Sequence, residues 1–138
     1  MAETPLTRAG ALDGIAPSRS PETGLVIEAI GPLARFILRG HAAVAPASTA
    51  LGAALPGLLG SASAGDRHAL WLGPDEWLLL TSEADGAALE GSLAAALEGT
   101  AHSLVDVSHR QTALHLSGPR VALALNAGCP LDLDRAAF

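Results

Sequence analysis

Residues 68–81 read HALWLGPDEWLLLT, two apolar runs joined by the turn residues Gly73-Pro74-Asp75-Glu76. Proline at the second position is typical of a type I turn, so the sequence predicts a β-hairpin. If Leu72 faces Trp77 across the turn, successive side chains alternate between two faces of the hairpin. One face then carries Leu70, Leu72, Trp77 and Leu79, and the other carries Trp71, Leu78 and Leu80.

Both faces of the predicted hairpin are therefore apolar. A sheet of that kind must be covered on both sides, and a chain of 138 residues has few elements for the purpose. We predict that a partner protein covers one face. The candidate interface residues are Trp71, Trp77, Leu78 and Leu80.

Helix signals lie on either side of the hairpin. Ser82 with Asp85 three residues later resembles a capping box. Three leucines then recur every four residues on one helical face: Leu89, Leu93 and Leu97. Upstream, residues 46–56 predict a short helix that Pro56 and Gly57 end, with Leu58 and Leu59 extending its apolar cover.

Two further strand pairs are predicted, one at residues 25–30 and 33–38 and the other at 103–107 and 111–117. A last helix begins at Ser117 as N-cap, with Pro119 in its first turn, and ends at Gly128. Three units of a strand pair followed by a helix indicate the α+β class, a mainly antiparallel sheet with helices packed on it.

The domain prediction follows from composition along the chain. Residues 1–21 mix Pro, Ser, Thr and charges without apolar periodicity, so we predict a flexible tail. Residues 22–138 form a single α+β domain, because 49% hydrophobic residues suffice for one core. The abrupt end at Phe138, directly after the last predicted helix, suggests a truncated product.

Charge and cysteine content exclude several classes of protein. The net charge is −6 and no cluster of basic residues occurs, so we expect no nucleic-acid binding. No segment approaches the roughly 20 apolar residues that span a bilayer, so we expect no membrane partner. A single cysteine, Cys129, cannot form an internal disulfide, which favours a cytoplasmic location.

No group of residues predicts catalysis or metal binding. Asp106, Ser108, His109 and His115 are the residue types of a nucleophilic triad, but there is no GxSxG motif. The spacing of His102, His109 and His115 matches no familiar zinc pattern. We therefore predict no catalytic, cofactor-binding or metal-binding residue in this chain.

The chain nevertheless resembles a known family. Residues 69–79, ALWLGPDEWLL, are similar to the signature of the gamma subunits of heterotetrameric, tetrahydrofolate-linked sarcosine oxidases. The resemblance continues in the family's order through VDVSHR at 105–110, LSGP at 116–119 and GCPLDL at 128–133. It covers about residues 24–138, and family members continue past the position of Phe138.

The resemblance implies a fold similar to the folate-binding domain of the aminomethyltransferases. It implies a non-catalytic subunit that joins alpha, beta and delta subunits. Their complex demethylates sarcosine oxidatively to glycine, hydrogen peroxide and 5,10-methylenetetrahydrofolate. FAD, FMN, NAD, zinc and tetrahydrofolate are then cofactors of the complex, and this chain binds none of them.

Three alternatives stay open. The chain could be a free-standing folate-binding or one-carbon transfer module in which Asp106 contacts the pterin. It could be a small hydrolase that uses Ser108 and His109. As a subunit, it could serve an oxidase of another N-methyl amino acid, and the sequence does not say which face meets which partner.

Overall fold

The computed structural model describes residues 10–131 and 133. A short 3-10 helix, His41–Ala43, leads into the first α-helix, and among the described residues no helix is long and apolar enough to cross a membrane. The strands and helices are, in chain order, β1 Ser18–Arg19, β2 Val26–Ala29, β3 Leu33–Arg39, α1 Val44–Leu51, β4 Ser61–Ala64, β5 Arg67–Gly73, β6 Glu76–Ser82, α2 Glu83–Ala96, β7 Ser103–Asp106, β8 Leu114–Ser117 and α3 Val121–Asn126.

The chain forms two compact units, whereas the sequence predicts a single domain over residues 22–138. The central unit is Pro32–Gln111, and the terminal unit comprises Met1–Gly31 and Thr112–Phe138. Residues 1–9, 132 and 134–138 lie outside the described residues. These ranges include the first nine residues of the predicted tail and the chain end at Phe138.

The central unit is built on a five-stranded antiparallel sheet in the order β4-β5-β6-β3-β7. The chain leaves β3 through α1, returns in the edge strands β4 and β5, turns into β6 beside β3, and crosses through α2 to β7. This is a split β-α-β arrangement repeated twice. The predicted α+β class with a mainly antiparallel sheet is confirmed.

Helix α2 forms as the sequence predicts. The Ser82 hydroxyl accepts a hydrogen bond from the backbone N–H of Asp85 at 3.3 Å, which satisfies a free donor of the first turn. The predicted leucine stripe is fully buried: Leu89, Leu93 and Leu97. These leucines share one core with the sheet residues Phe36, Leu38 and Leu79, so burial of an apolar stripe holds α2 on the sheet.

Helix α2 packs tightly against the sheet at Gly86. A Cβ placed on Gly86 would lie 2.6 Å from the Cβ of Ala34 in β3, which has no flexible end that could move away. We expect Gly86→Ala to lower the free energy of unfolding by about 1–3 kcal/mol through overpacking. Gly91 is the matched control, since it lies in the same helix with nothing within 4 Å.

Gly91→Ala should raise the free energy of unfolding by about 0.5–1 kcal/mol, because alanine loses less backbone entropy in a helix. Urea denaturation of both variants tests the contrast. If Gly86→Ala is as stable as Gly91→Ala, the helix does not approach β3 as closely as the structure shows.

An ion pair between Arg67 in β5 and Asp85 in α2 joins the sheet to both helices. Arg67 donates from Nε to Asp85 Oδ2 at 2.7 Å and from Nη2 to Oδ1 at 2.9 Å. Its Nη1 donates to the carbonyl oxygen of Ala50 in α1 at 3.1 Å, and the Thr81 hydroxyl donates to Asp85 Oδ2 at 2.9 Å. These hydrogen bonds from Arg67 and Thr81 lower the pKa of Asp85 to about 2.

Acid is therefore expected to remove the stabilising contribution of Asp85. Its folded pKa lies below the ordinary value of 3.8, so the contribution is present above that value and is lost as the pH falls toward 2. Between about pH 5 and pH 2, wild-type chain should lose stability more steeply than Asp85→Asn. Urea denaturation at each pH measures this, and parallel curves for the two proteins would contradict it.

The terminal unit holds a three-stranded sheet in the order β1-β2-β8. Strand β1 lies inside the predicted flexible tail of residues 1–21, so that prediction was wrong for Ser18–Arg19. The reason is a short turn in which Ser20 N–H donates to the carbonyl of Leu25 and Gly24 N–H donates to the carbonyl of Ser20, both at 2.9 Å. This turn brings Ser18 and Arg19 against β2.

Two predicted strand pairs were wrong in their pairing, although the strands themselves form. β2 pairs with β8, whereas β3 pairs with β6 and β7. The segments on either side of Gly31 therefore belong to different sheets, as do those on either side of residues 107–113. The ladder between β3 and β6 extends over all seven residues of β3, which is more pairing than a short hairpin with β2 could offer.

Helices α1 and α3 are shorter than predicted. α1 ends at Leu51, where Gly52 adopts a left-handed conformation (φ 87°), so Leu55 is buried from the following loop. α3 begins at Val121, and the predicted N-cap Ser117 lies in β8 instead. Gly118 (φ 123°) separates the two, because a side chain there would collide with the backbone of Gly24.

Candidate interface on the central sheet

The register of the β5–β6 hairpin differs from the predicted one by a single residue. Gly73 pairs with Glu76 across the turn, as expected, but Trp71 then pairs with Trp77. A β-bulge between Trp71 and Gly73 leaves Leu72 without an opposite residue on β6. The predicted facing of Leu72 and Trp77 was therefore wrong, and every residue of β5 before the bulge lies on the face opposite to the predicted one.

One face of the hairpin belongs to the core under α1 and α2. It carries Ala69, Trp71, Trp77 and Leu79. Trp77 is 4% exposed, and its ring Nε1 donates to the carbonyl oxygen of Pro56 at 2.8 Å. Trp71 is half-buried against the same core. Both tryptophans thus stabilise the central unit itself.

The opposite face of the sheet is the one on which neither helix of the central unit packs. This face carries the polar side chains Arg35, Arg39, His68 and Glu76. It also carries six apolar side chains that are half-buried or up to 48% exposed: Ile37, Leu70, Leu72, Leu78, Leu80 and Val105. Four of them follow one another across the strands, since Leu78 lies opposite both Ile37 and Leu70, and Ile37 lies opposite Val105. We call these six residues the apolar row.

The four interface candidates therefore do not share a face. Leu78 and Leu80 belong to the apolar row, whereas Trp71 and Trp77 face the helices. Trp77 is too deeply buried to offer surface to a partner. The interface prediction stays a prediction, and within the central unit the apolar row is the surface that suits it.

Ser108 and Asp106 lie together, but in a structural arrangement. Ser108 is 6% exposed, and its hydroxyl accepts the backbone N–H of Arg35 at 2.9 Å while donating to Asp106 Oδ1. The backbone N–H of Ser108 donates to the same carboxylate oxygen at 2.8 Å. A nucleophilic serine donates to a histidine instead, so this geometry does not support the hydrolase alternative with His109.

Arg35 is a structural residue that was not among the predicted ones. It lies in the middle of β3, yet it is only 5% exposed. Its Nη1 donates to the carbonyl oxygens of Ser108 at 3.3 Å and Gln111 at 2.9 Å. The sequence signal that could have identified it is an arginine between the apolar residues Ala34 and Phe36. A charged residue inside a strand needs specific partners when it is buried. Arg35 fixes the 108–111 turn against the sheet.

Two of the three histidines considered for a metal site have local partners. His102 Nδ1 lies 2.8 Å from the carbonyl oxygen of Thr100, and His115 Nδ1 lies 2.7 Å from Glu28 Oε1 across β8 and β2. Within residues 10–131 and 133, no group of three His, Cys, Asp or Glu side chains is placed to hold a metal ion. Cys129 is a partly buried free thiol.

Comparison with known proteins agrees with the sequence resemblance. The model of the sarcosine oxidase, gamma subunit family matches residues 39–138. A sarcosine oxidase subunit gamma from Arthrobacter sp. is 44% identical over 101 residues, and one from Corynebacterium sp. strain U-96 is 41% identical over 102 residues. Each alignment covers 72% of this chain and 47% of the relative, so the chain spans about half the length of these curated relatives.

A solved structure supports the same assignment. The heterotetrameric sarcosine oxidase from Corynebacterium sp. U-96, in complex with pyrrole 2-carboxylate, contains a chain that superposes with a TM-score of 0.78 at 31% identity. The match covers 87% of this chain and 63% of that one. On the strength of the family match and of this superposition, the chain belongs to the sarcosine oxidase gamma subunit family.

Proposed function

We propose that this chain is a non-catalytic gamma subunit of a heterotetrameric sarcosine oxidase, assembled with alpha, beta and delta subunits. The complex oxidises sarcosine to glycine, hydrogen peroxide and 5,10-methylenetetrahydrofolate. Its FAD, FMN, NAD, zinc and tetrahydrofolate are held by the other subunits, and the complex works in the cytoplasm. Family membership and the likeness to a chain of a heterotetrameric enzyme support this proposal.

The observation that carries the proposal is the apolar row on the central sheet. Leu72 and Val105 are each 48% exposed. Val105 lies opposite Ile37, which lies opposite Leu78, and both Leu78 and Leu80 are partly exposed on the same face. Soluble monomers rarely leave several neighbouring apolar side chains exposed, and such patches mark contact surfaces. A partner subunit that covers the row would remove this surface from water.

The chemistry within the described chain fits a supporting subunit better than a folate-transfer module. Asp106 is the residue that the alternative assigns to the pterin, and its Oδ1 already accepts two hydrogen bonds from Ser108. Both bonds stabilise the turn that Arg35 also holds. Asp106 therefore has a local structural role.

Replacement of Leu78 and Leu80 by threonine tests the proposed interface. Threonine keeps a strand preference but adds a polar group where a partner would bury carbon. We expect the tagged double variant to bind co-expressed alpha, beta and delta subunits at least about tenfold more weakly than wild type. Leu131→Thr is the matched control, because Leu131 is 60% exposed outside the row.

Unfolding of the isolated variants shows whether the fold has survived. Retained thermal stability with lost subunit binding supports the apolar row as the interface. Undiminished binding and sarcosine-dependent peroxide production in the double variant would show that partners bind elsewhere on the chain.

A further inference from the structure

The loop between α1 and β4 exposes two adjacent leucines at its tip. Leu58 and Leu59 are 76% and 86% exposed, the highest values among the large apolar side chains of residues 10–131 and 133. They were expected to extend the apolar cover of the preceding helix, and that expectation was wrong. The core ends at Leu55, and the chain then turns outward through Pro56 and Gly57.

The backbone at the tip is strained. Leu59 has φ 55°, the one positive φ at a non-glycine position within the described part of the chain. A leucine in this left-handed region costs free energy because its Cβ crowds the backbone, and glycine would avoid that cost. Strained positions of this kind concentrate at binding sites and other functional sites.

The base of the loop, by contrast, is firmly held. The Nε1 of buried Trp77 donates to the carbonyl oxygen of Pro56 at 2.8 Å. The N–H of Gly60 donates to the carbonyl oxygen of Gly57 at 2.9 Å, and the N–H of Trp71 donates to that of Gly60 at 3.0 Å. The loop therefore presents its two leucines in a defined position, which reduces the entropy lost when they are bound.

The lack of charged residues in the loop and in its flanking sequence favours a protein over a lipid as the binding partner. No Asp, Glu, Lys or Arg occurs between Arg39 and Asp66, and the whole chain carries a net charge of −6. A membrane anchor of one or two apolar side chains needs basic neighbours to reach an anionic surface, and this loop has none. A convex apolar tip without charges fits an apolar pocket.

A second copy of the chain is a poorer partner than a different subunit. Two convex tips meeting across a two-fold axis bury little area, whereas a stable interface buries roughly 1,200–2,000 Å². We propose that Leu58 and Leu59 insert as a knob into an apolar pocket on another subunit of the oxidase complex. This inference rests on the proposed function.

Two single variants test the knob in the assembled complex. Leu59→Gly removes the side chain and relieves the strained φ, so the isolated chain should be at least as stable as wild type. Leu58→Asp places a charge at the tip, where the free chain leaves it in water. Each variant should raise the Kd for the co-expressed partner subunits by about tenfold or more.

Gly57→Ser is the matched control. A Cβ on Gly57 meets nothing within 4 Å, so this variant changes the loop while both leucines remain. It should bind the partner subunits as wild type does. Affinity measured by biolayer interferometry on the tagged chain, together with thermal unfolding of each variant, separates binding from folding.

The outcomes distinguish the knob from the subunit role. If wild type joins the complex and both leucine variants bind equally well, the knob is disproved and the proposed function stands. If wild type fails to join any partner subunit, both proposals fall. Binding of wild type, but not of the variants, to phosphatidylcholine–phosphatidylserine vesicles would also overturn the knob, since the loop would then contact lipid.

Discussion

Trp77→Ala is expected to destabilise the chain by about 3–5 kcal/mol, as large aromatic truncations in a packed core do. Trp77 is 4% exposed and belongs to the cluster formed by the helices and the sheet. The variant would also leave the carbonyl oxygen of Pro56 without its hydrogen bond from the indole ring. Urea denaturation measures the loss of stability, provided that the m-value of the variant equals that of wild type.

Trp77→Phe serves as the graded control for that prediction. It keeps most of the apolar area and removes the hydrogen bond, so a smaller loss of about 1–3 kcal/mol is expected. A change below about 1 kcal/mol for Trp77→Ala would be too small for a core residue. Trp77 would then have to be returned to the set of partner-facing residues.

Leu93→Ala is expected to cost about 2–5 kcal/mol, because it empties a fully buried position in α2. Leu93 lies between Leu89 and Leu97 on the stripe that packs against the sheet, so neighbouring side chains can fill the cavity only in part. Leu123→Ala in α3 is the control, since Leu123 is 67% exposed. Its effect should stay within about 0.5 kcal/mol.

A loss below about 1 kcal/mol in Leu93→Ala would contradict the packing of α2 on the sheet. Equal effects of Leu93→Ala and Leu123→Ala would do so as well. Both variants replace a helical leucine by alanine, so the difference between their effects reports the difference in burial.

Local patterns predicted α2 well because its signals agree with one another. A capping serine, an acidic first turn and a leucine every four residues all indicate the same helix, and tertiary contacts add burial of the same face. The hairpin turn at Pro74 and Asp75 was likewise predictable from turn chemistry. These elements depend on residues that are neighbours in sequence.

The faces of the hairpin could not be predicted in the same way. A single bulge at Leu72 reverses the face of every residue that precedes it in β5, and no residue type marked the bulge. As a result Trp71 and Trp77 were grouped with different neighbours, and the apolar row was divided between both predicted faces. The members of the apolar row can be identified only when the register between β5 and β6 is known.

Pairing between distant strands was also beyond local patterns. β3 pairs with β6 and β7 rather than with the strand before it, and the link from Arg35 to Ser108 and Gln111 joins residues more than seventy positions apart. Adjacent apolar runs suggest hairpins by default, because short connections are common. The exposed Leu58 and Leu59 were misjudged for a related reason, since apolar character was taken to mean burial.

The proposed role of this chain as one subunit of a hetero-oligomeric sarcosine oxidase is tested most directly by native mass spectrometry. The complex is purified through a tag on this chain after co-expression with alpha, beta and delta subunits. We expect a species with one copy of each subunit that carries flavin and produces peroxide when sarcosine is added. Recovery of the tagged chain alone, while the other three subunits assemble into an active enzyme without it, would contradict the proposed role.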